Sequence, residues 1–392
     1  MSLSLNRRQM LASTGTGLAV AAFGTPVFGS NAPQAKVASL DVISKQSHLY
    51  GVWPTLARRK NGQLWLVWSG GRETHVCPFG RVESMTSNDD GGTWTWPRVL
   101  LDADIDDRDA GVLETAKGSL LVTSFSSLAY EDTLRAAEQK SKSGKPGAWS
   151  SEKLERWVSA RDRLTAEQRK SRLGVWMLRS TNGGISFSAP FRCQVNSPHG
   201  PVQLTDGRVL YAGKELWHGE NRIGVCESFD DGQTWRWLAA IPTRPGDDHR
   251  KYHELHAVEA SDKRLIVHIR NHNKKNSGET LQSESEDGGK TWSMPHSIGV
   301  WGLPSHLLRL RDGRLLMSYG HRRRPFGNQA RISADHGRTW SEPLTISGDG
   351  IGGDLGYTST VELADGSLLS IWYERMKSSP LAVLRQARWS IA

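Results

Sequence analysis

Cysteine is scarce in this sequence, and long apolar runs are missing from most of it. The 392 residues include three cysteines, Cys77, Cys193 and Cys226, which are widely spaced and odd in number. That spacing matches neither a metal site nor a disulfide framework, although one bridge stays open as an alternative. Beyond residue 35 no apolar run approaches the roughly twenty residues of a membrane span. We therefore expect no structural metal, no cofactor and no membrane insertion of residues 36–392.

Acidic residues are outnumbered by basic ones. The chain has 41 Asp and Glu against 50 Lys and Arg, which gives a formal net charge of +9. A basic protein favours anionic partners such as acidic sugars, phosphates or nucleic acid. Because no nucleic-acid-binding motif is present, we interpret the charge as support for an acidic glycan or oligosaccharide and expect no nucleic-acid partner.

Residues 1–35 have the features of an export signal. The pair Arg7-Arg8 precedes an uncharged stretch of apolar and small residues from position 11 to position 23. That stretch is too short to span a membrane and has the form of a signal-peptide core. We expect a twin-arginine signal peptide and a mature protein that acts in the periplasm or outside the cell.

An eight-residue pattern recurs five times. Its clearest copy, at 285–292, reads Ser-x-Asp-x-Gly-x-Thr-Trp, and copies follow the same pattern at 87–94, 228–235 and 333–340. A degenerate copy at 180–187 carries Asn and Phe in place of Asp and Trp. Asp and Asn cap tight turns, and Gly supplies the positive φ that such turns need. We interpret these Asp residues as turn caps that form part of the fold and not as catalysts.

A longer hairpin repeat interlocks with the octapeptide. Two apolar strands flank a turn such as Asn61-Gly62 or Asp206-Gly207, which is typical of a β-hairpin. Six copies occupy residues 54–68, 110–125, 199–213, 255–270, 305–319 and 358–374. Their period of about 50 residues predicts an all-β, six-bladed β-propeller over residues 36–392. The octapeptides should join the outer strands of each blade, and residues 37–43 or 384–391 should complete the sixth.

One segment departs from this strand pattern. Residues 131–172 are rich in Ala, Glu, Lys, Arg and Leu, and the sequence Gly-Lys-Pro-Gly at 144–147 divides them. The spacing of Leu154, Trp157 and Val158 is roughly helical. We predict a helical hairpin inserted in blade two, which is either a lid, a partner surface or a plain decoration.

The hairpin repeat also aligns the starts of the inner strands, where propellers bind ligands. One column of this alignment contains Trp53, Asp109, Pro198, Glu254, Pro304 and Tyr357. The column two residues later contains Thr55, Gly111, Gly200, His256, His306 and Ser359. A packed strand does not need Asp, Glu, Tyr and His at its start. Polar groups that converge on one axial cavity are therefore the candidate site.

These features resemble the sialidase (neuraminidase) superfamily, whose six-bladed propellers carry the same octapeptides, called Asp-boxes or BNR repeats. The resemblance covers residue 49 to the C-terminus apart from the helical segment. It implies a nucleophilic tyrosine, and Tyr357 in Gly-Tyr-Thr-Ser is similar to that residue. It implies a glutamate that acts as its base about 15 residues before a carboxylate-binding arginine, and Glu254 and Arg270 match that pattern. The alternatives are a core tyrosine and a structural ion pair.

The resemblance also implies further substrate-binding groups. The run at 322–324 matches another carboxylate-binding arginine, with Arg322 and Arg324 as the candidates, and a solvated basic turn as the alternative. Glu374 resembles the acidic residue that holds one of the arginines. Tyr has an ordinary pKa of about 10, so it needs a neighbouring base to attack a sugar. Sialidases are the retaining glycosidases that use Tyr in this way, and paired arginines bind a carboxylate in a forked geometry.

Two family residues have no direct match. The first strand carries no arginine next to Pro54, and the nearest substitutes are Arg72 and Arg108. The loop at 70–78, where the family has its acidic proton donor, contains Glu73 and His75 but no Asp. His75 suits acid–base chemistry because its unperturbed pKa lies near 6.5, and Asp109 is the other candidate. Three more histidines, predicted to contact substrate, are His199, His256 and His306.

Three functions follow as alternatives. The first is a sialidase-like exo-glycosidase that acts on a glycan containing sialic or uronic acid. The second is a polysaccharide lyase, or a hydrolase of another uronic acid or deoxy sugar, which the histidine-rich column favours. The third is a glycan-binding propeller without catalysis, against which the presence of both Tyr357 and Glu254 counts.

Overall fold

The computed structural model describes residues 32–144 and 146–392, so the twin-arginine pair and the apolar stretch after it lie outside the described residues. The described residues form six four-stranded antiparallel sheets, which confirms the predicted all-β, six-bladed propeller. Within those two ranges no helix is long and apolar enough to cross a membrane.

Each sheet is one blade, and the strands are numbered in chain order. The first three blades contain β2 (Tyr50–Arg58), β3 (Leu64–Arg72), β4 (Arg81–Ser87), β5 (Arg98–Leu101), then β6 (Asp106–Glu114), β7 (Leu120–Ser127), β8 (Val175–Ser180), β9 (Phe191–Arg192), then β10 (Val202–Gln203), β11 (Val209–Lys214), β12 (Ile223–Ser228), β13 (Arg236–Ala240). The fourth and fifth contain β14 (Tyr252–Glu259), β15 (Leu265–Asn271), β16 (Thr280–Ser285), β17 (His296–Val300), then β18 (Ser305–Arg309), β19 (Leu315–His321), β20 (Phe326–Ser333), β21 (Leu344–Gly350).

The sixth blade is built from both ends of the described chain. It contains β22 (Leu355–Glu362), β23 (Leu368–Met376), β24 (Ser379–Ile391) and, as its outermost strand, β1 (Ala35–Val42). The pairing of β1 with β24 runs from Ala35 opposite Ile391 to Val42 opposite Arg385. The sequence offered two segments as alternatives for completing this blade, and the structure uses both. This pairing leaves β24 with a partner on each side, which removes a free sheet edge.

Burial differs between inner and outer strands because neighbouring blades cover both faces of the inner ones. The residues of β3 are buried almost throughout, whereas those of the outer strand β5 are exposed or half-buried. Because their strands are buried on both faces, the inner hairpins are nearly continuous apolar runs in the sequence, whereas the fourth strands are not.

The octapeptides join the third and fourth strands of the first five blades, as predicted. In the copy at 285–292, Asp287 Oδ1 accepts the backbone N–H of Thr291 at 2.9 Å, and Asp287 Oδ2 accepts the Thr291 hydroxyl at 2.6 Å. The hydroxyl of Ser285 donates to the same carboxylate at 2.9 Å. The other three full copies repeat this bonding. The interpretation of these Asp residues as turn caps is confirmed.

Three helices connect β7 to β8, which are neighbouring strands of one sheet. They are α1 (Tyr130–Lys142), α2 (Ser151–Asp162) and α3 (Ala166–Ser171), where the sequence predicted a hairpin of two helical halves. The side chain of Ser150 caps α2, and Thr165 forms a capping box with Gln168 at the start of α3. These caps satisfy backbone N–H groups that a helix start otherwise leaves unpaired.

Side chains near the propeller axis connect different blades. In these contacts a side chain in the second aligned column accepts a backbone N–H from another blade. The contacts are Leu56 N to Ser359 Oγ at 3.0 Å, His199 N to Thr55 Oγ1 at 3.2 Å, Leu307 N to His256 Nδ1 at 2.9 Å and Thr360 N to His306 Nδ1 at 3.5 Å. The polar character of this column therefore has a structural cause, because these side chains satisfy buried backbone donors.

Candidate active site

Four residues of the first aligned column, each near the start of an inner strand, have an unusual backbone conformation. Trp53, Asp109, Glu254 and Tyr357 have φ values of 54°, 48°, 39° and 55°. At each of them the register with the second strand of the blade shifts. Non-glycine residues rarely adopt positive φ, and such strain concentrates at functional sites. A bulge also redirects the side chain that it carries, so the backbone itself distinguishes this end of the axis.

Tyr357 and Glu254 meet across the axis, from the sixth and fourth blades. The Tyr357 hydroxyl donates to Glu254 Oε1 at 2.5 Å. Arg270 Nη1 donates to Glu254 Oε2 and, at 3.3 Å, to the Tyr357 oxygen. Tyr357 is 4% exposed. The three residues that the sequence pattern selected are therefore in direct contact.

The electrostatics of this contact define the protonation of both partners. Burial opposes ionisation of Glu254, but the Arg270 guanidinium and the hydrogen bond from Tyr357 lower the pKa of Glu254 to about 2. Burial and then the charges of Glu254 and Asp109 raise the pKa of Tyr357 well above its ordinary value. At neutral pH the pair is a neutral phenol that donates to a carboxylate, which is the state in which the carboxylate can accept the proton.

The arginine run at 322–324 divides between two locations. Arg322 donates from Nε to the carbonyl of Leu355 at 2.9 Å, and its guanidinium carbon lies 5.9 Å from the centre of the Tyr357 ring. Its charge helps to lower the pKa of Glu254. Arg324 packs against Phe326 instead, 5.8 Å from that ring. Arg322 alone of the predicted pair therefore borders Tyr357.

Trp53 is held between the two arginines that were expected to replace the missing family arginine. The guanidinium carbons of Arg72 and Arg108 lie 4.7 Å and 4.3 Å from its ring. Arg72 is fully buried and forms a forked ion pair with Asp106, at 2.6 Å and 2.9 Å. The prediction that Arg72 binds substrate is therefore wrong, because its side chain is completely buried and both of its Nη atoms are bonded to Asp106. Arg108 keeps a looser contact with Asp106, at 4.0 Å.

Asp109 is buried beside the Tyr357–Glu254 pair. Its carboxylate forms no hydrogen bond with the described residues, and burial together with the charge of Glu254 raises the pKa of Asp109 to about 7. A carboxyl group of this kind is protonated in the acidic half of the physiological range and available as a proton donor.

Asp109 makes stability depend on pH in a testable way. Because its folded-state pKa lies above the ordinary value near 3.8, the folded chain loses stability as pH rises from about 4 to about 7. Asp109→Asn removes this loss, so relative to wild type it should gain about 2–4 kcal/mol of unfolding free energy at pH 8 and almost none at pH 3. Urea unfolding at the two pH values measures this. A gain equal at both would contradict the burial argument, and exposed Asp132→Asn is the control.

His75 lies on the loop after β3 and contacts a residue that the sequence did not single out. Its Nδ1 is 3.0 Å from Asp354 Oδ1, and its ring meets the edge of Trp53 at 5.1 Å. Asp354 also accepts the hydroxyls of Tyr373, at 3.1 Å, and Tyr50. These contacts orient Nδ1 toward the carboxylate and leave Nε2 free of protein partners among the described residues.

The other residues predicted to contact substrate do not contact the Tyr357 hydroxyl. His256 and His306 are buried further along the axis, with their Nδ1 atoms bonded to backbone N–H groups. His199 is also buried there, and its ring centre is 6.5 Å from that of Tyr357. Glu374 does hold an arginine, but the partner is Arg385, at 2.6 Å, and not Arg270 or Arg322. Glu374 is fully buried, so the prediction that it contacts substrate is wrong.

Residues 127–371 match the family model described as a BNR repeat-like domain. The chain belongs to this family. No curated protein matched the chain in the corresponding search. The BNR match and the six four-stranded sheets together define a sialidase-like BNR propeller.

Solved structures share the propeller fold at low sequence identity. A protein of unknown function from Dyadobacter fermentans is 22% identical, with a TM-score of 0.71 over 91% of this chain and 99% of its own. The NanB sialidase from Streptococcus pneumoniae is 15% identical, with a TM-score of 0.60 over 91% of this chain and 70% of its own. The Hadza microbial sialidase Hz136 is 16% identical, with a TM-score of 0.59 over 88% of this chain and 65% of its own.

Sequence patterns missed several residues around the site of this BNR propeller. Asp354 stands three residues before Tyr357 in Gly-Gly-Asp-Leu-Gly-Tyr. An acidic residue in a glycine-rich segment just before the strand was the sequence feature that could have indicated it. His272 packs against His253, with ring centres 4.7 Å apart and the ring planes tilted by 43°. Burial and then the Lys214 charge lower the pKa of His253 to about 3. Nothing in the sequence around Lys214 indicates that it lies near His253.

The helices of the BNR propeller hold the loop that carries His75. Glu73 accepts Arg156 Nε at 2.6 Å and Trp157 Nε1 at 2.9 Å, both from α2. Trp157 is fully buried and packs with Cys77. The helical segment therefore supports one wall of the candidate site.

Proposed function

We propose that this protein is an exo-glycosidase that acts on a glycan containing sialic or uronic acid and retains the anomeric configuration. The observation that carries the proposal is the 2.5 Å hydrogen bond from Tyr357 to Glu254, with Arg270 bonded to both. A tyrosine bonded to an ionised, buried carboxylate is an activated nucleophile. Within that class of glycans the nucleophile favours a sialic acid, whose anomeric carbon bears a carboxylate, because a neutral phenol avoids the charge repulsion that a carboxylate nucleophile would meet there.

The reaction has two balanced steps. In the first, the Tyr357 oxygen bonds to the anomeric carbon while its proton passes to Glu254. The bond from that carbon to the leaving-group oxygen breaks, and an acid protonates this oxygen. In the second, the conjugate base of that acid takes a proton from water, and the water oxygen bonds to the anomeric carbon. The Tyr357–carbon bond breaks, and Glu254 returns its proton to Tyr357.

Arg270 and Arg322 form the carboxylate clamp in this proposal. Both guanidinium groups border Tyr357, and Arg270 already binds one carboxylate, that of Glu254. Guanidinium groups are suited to this task because their donors match both oxygens of a carboxylate. Arg108, which stacks on Trp53, is the remaining candidate for a third contact.

His75 is the acid–base group that the contacts favour. An exo-glycosidase releases its leaving group toward solvent, and the His75 side chain is 42% exposed while Asp109 is buried. The bond between Nδ1 and Asp354 orients the ring and leaves Nε2 to exchange protons with the leaving-group oxygen or water. Asp354 is a positioning residue in this scheme.

Asp354→Asn should lower kcat/KM by about 10–100-fold, because a mispositioned imidazole transfers protons poorly. The basic limb of the kcat/KM–pH profile should move with it, which a purely structural role would not cause. Asp365→Asn, on an exposed turn of the same blade, is the control and should keep the wild-type profile. If Asp354→Asn leaves the profile unchanged and Asp109→Asn abolishes its basic limb, Asp109 is the acid.

The lyase alternative has lost its main support. The histidine-rich column favoured it, but the Nδ1 atoms of His256 and His306 are occupied by backbone donors away from Glu254. The test of the function is a panel of fluorogenic sialosides and uronic-acid glycosides with product analysis by NMR. We expect release of the free acidic sugar with retained configuration. An unsaturated product, or inversion, would contradict the proposal.

We also propose that the protein is exported through its twin-arginine signal. Arg7-Arg8 and the uncharged stretch after them support this. Replacing both arginines with lysine should keep the protein in the cytoplasmic fraction of a bacterial host. Equal export of the two forms would contradict the proposal.

A further inference from the structure

A cavity lies on the propeller axis, apart from Tyr357. Its volume is about 490 Å³, and its walls are formed by the inner strands on the way to their hairpin turns. His199, His256 and His306 line it, whereas Asp109, Glu254 and Tyr357 do not. The volume falls in the range of pockets that hold small molecules.

The three histidines form a compact buried cluster. The rings of His256 and His306 are stacked with centres 4.6 Å apart, and His199 meets them edge-on at 5.5 Å and 5.0 Å. Burial lowers the pKa of all three, so they are neutral at physiological pH. A neutral imidazole carries one N–H donor and one acceptor nitrogen.

Hydrogen bonding identifies which nitrogen carries the proton. His256 Nδ1 accepts the Leu307 N–H at 2.9 Å, and His306 Nδ1 accepts the Thr360 N–H at 3.5 Å. Nε2 is therefore the N–H donor in both rings. His199 Nε2 is buried without a partner, in a side chain that is 2% exposed. The Nε2–H groups of His256 and His306 cannot ligate a metal, and among the described residues no set of three or more His, Cys, Asp and Glu side chains is arranged to hold one. They can bind a hydrogen-bond acceptor.

The charges at the cavity wall also favour an anion. Its three carboxylates each have a cationic partner: Glu114 with Arg59, Glu259 with Lys263 and Glu362 with Arg311, at 2.9 Å, 4.0 Å and 3.1 Å. Arg58 and Arg309 line the same cavity and have no carboxylate partner among the described residues. The two guanidinium groups without a carboxylate partner and the Nε2–H donors of His256 and His306 therefore leave a net attraction for negative charge at the cavity wall.

We propose that this axial cavity is a second ligand site that binds a small oxyanion, either inorganic phosphate or the carboxylate of a free sugar acid. The site is independent of the glycosidase proposal, since it shares no lining residue with the Tyr357–Glu254 pair. The two sources present the same chemistry, oxygen atoms with negative charge, to the Nε2–H and guanidinium donors.

Calorimetric titration of the whole protein with phosphate and, separately, with glucuronate tests the proposal. We expect saturable binding of at least one of them in wild type, with a Kd on the order of 1 mM or tighter. Arg58→Gln combined with Arg309→Gln should weaken that binding at least about tenfold, because charge-assisted bonds are lost. Arg135→Gln, an exposed change on α1, is the matched control and should bind as wild type does. The tighter of the two anions identifies the source.

Two results would overturn the proposal. One is the lack of saturable binding of either anion, which would mean that the cavity holds only water. The other is binding that survives the double variant but disappears in Arg270→Gln, which would assign the anion to the Tyr357 pocket. A crystal soaked in selenate provides an independent readout: its anomalous peak should lie within hydrogen-bonding distance of the histidine cluster, and a peak only at Arg270 would contradict the site.

Discussion

Tyr357→Phe should reduce kcat/KM by about 10³–10⁴-fold on the best substrate of the panel, since the phenyl ring keeps the packing and removes the attacking oxygen. The loss should appear in kcat, because the bond from Tyr357 to the anomeric carbon exists only during the reaction. The Tyr357 ring lies among Trp53, Tyr373 and His199 at 5.9–6.5 Å, so its volume is needed and Phe supplies it.

Tyr319→Phe is the matched control for that measurement. Its hydroxyl bonds to Gln329 and Arg331 in the fifth blade, so its removal tests the general cost of a lost tyrosine hydroxyl. We expect near-wild-type kcat/KM from Tyr319→Phe. Wild-type activity in Tyr357→Phe would exclude Tyr357 as nucleophile, whatever the control shows.

Arg270→Gln should lower kcat/KM by about 10²–10³-fold and change its dependence on pH. Arg270 is the strongest influence that lowers the pKa of Glu254 to about 2, against the effect of burial. Without it that pKa rises, so Glu254 becomes protonated at a higher pH and cannot accept the Tyr357 proton. Activity should therefore fall off on the acidic side at a higher pH than in wild type.

Arg322→Gln separates the two roles of the clamp. Arg322 influences Glu254 less than Arg270 does and forms no hydrogen bond with it. We expect Arg322→Gln to raise KM with a smaller displacement of the acidic limb. Identical pH profiles for wild type and Arg270→Gln would contradict the electrostatic account, provided that circular dichroism shows both proteins folded.

Local chemistry made most of the fold predictable. An Asp such as Asp287 caps a turn through bonds to residues no more than four positions away, so the eight-residue pattern suffices to identify it. The same holds for the hairpin turns, whose regular spacing defined six blades and aligned Asp109, Glu254 and Tyr357. The sequence did not predict the positive φ at these positions, because that conformation depends on how each β-bulge packs.

Contacts between distant parts of the chain were beyond that reasoning. His75 and Asp354 are 279 positions apart and meet because the sixth blade closes against the first. Arg72 was expected near substrate, but Asp106 of the next blade neutralises it in the interior. Glu374 was expected to hold a catalytic arginine and holds Arg385 of the neighbouring strand. In the first two cases the partner depends on how one blade packs against another, and in the third on the register of β23 with β24.

The central claim is that Tyr357 forms a covalent bond to the sugar, and trapping that bond tests it most directly. The protein would be incubated with fluorinated analogues of a sialic acid and of a uronic acid, whose fluorine slows the second step, then digested and mapped by mass spectrometry. We predict one sugar adduct on the peptide that contains Tyr357, and none in Tyr357→Phe. Turnover of the natural substrate without any adduct, or an adduct on a different residue, would contradict the account.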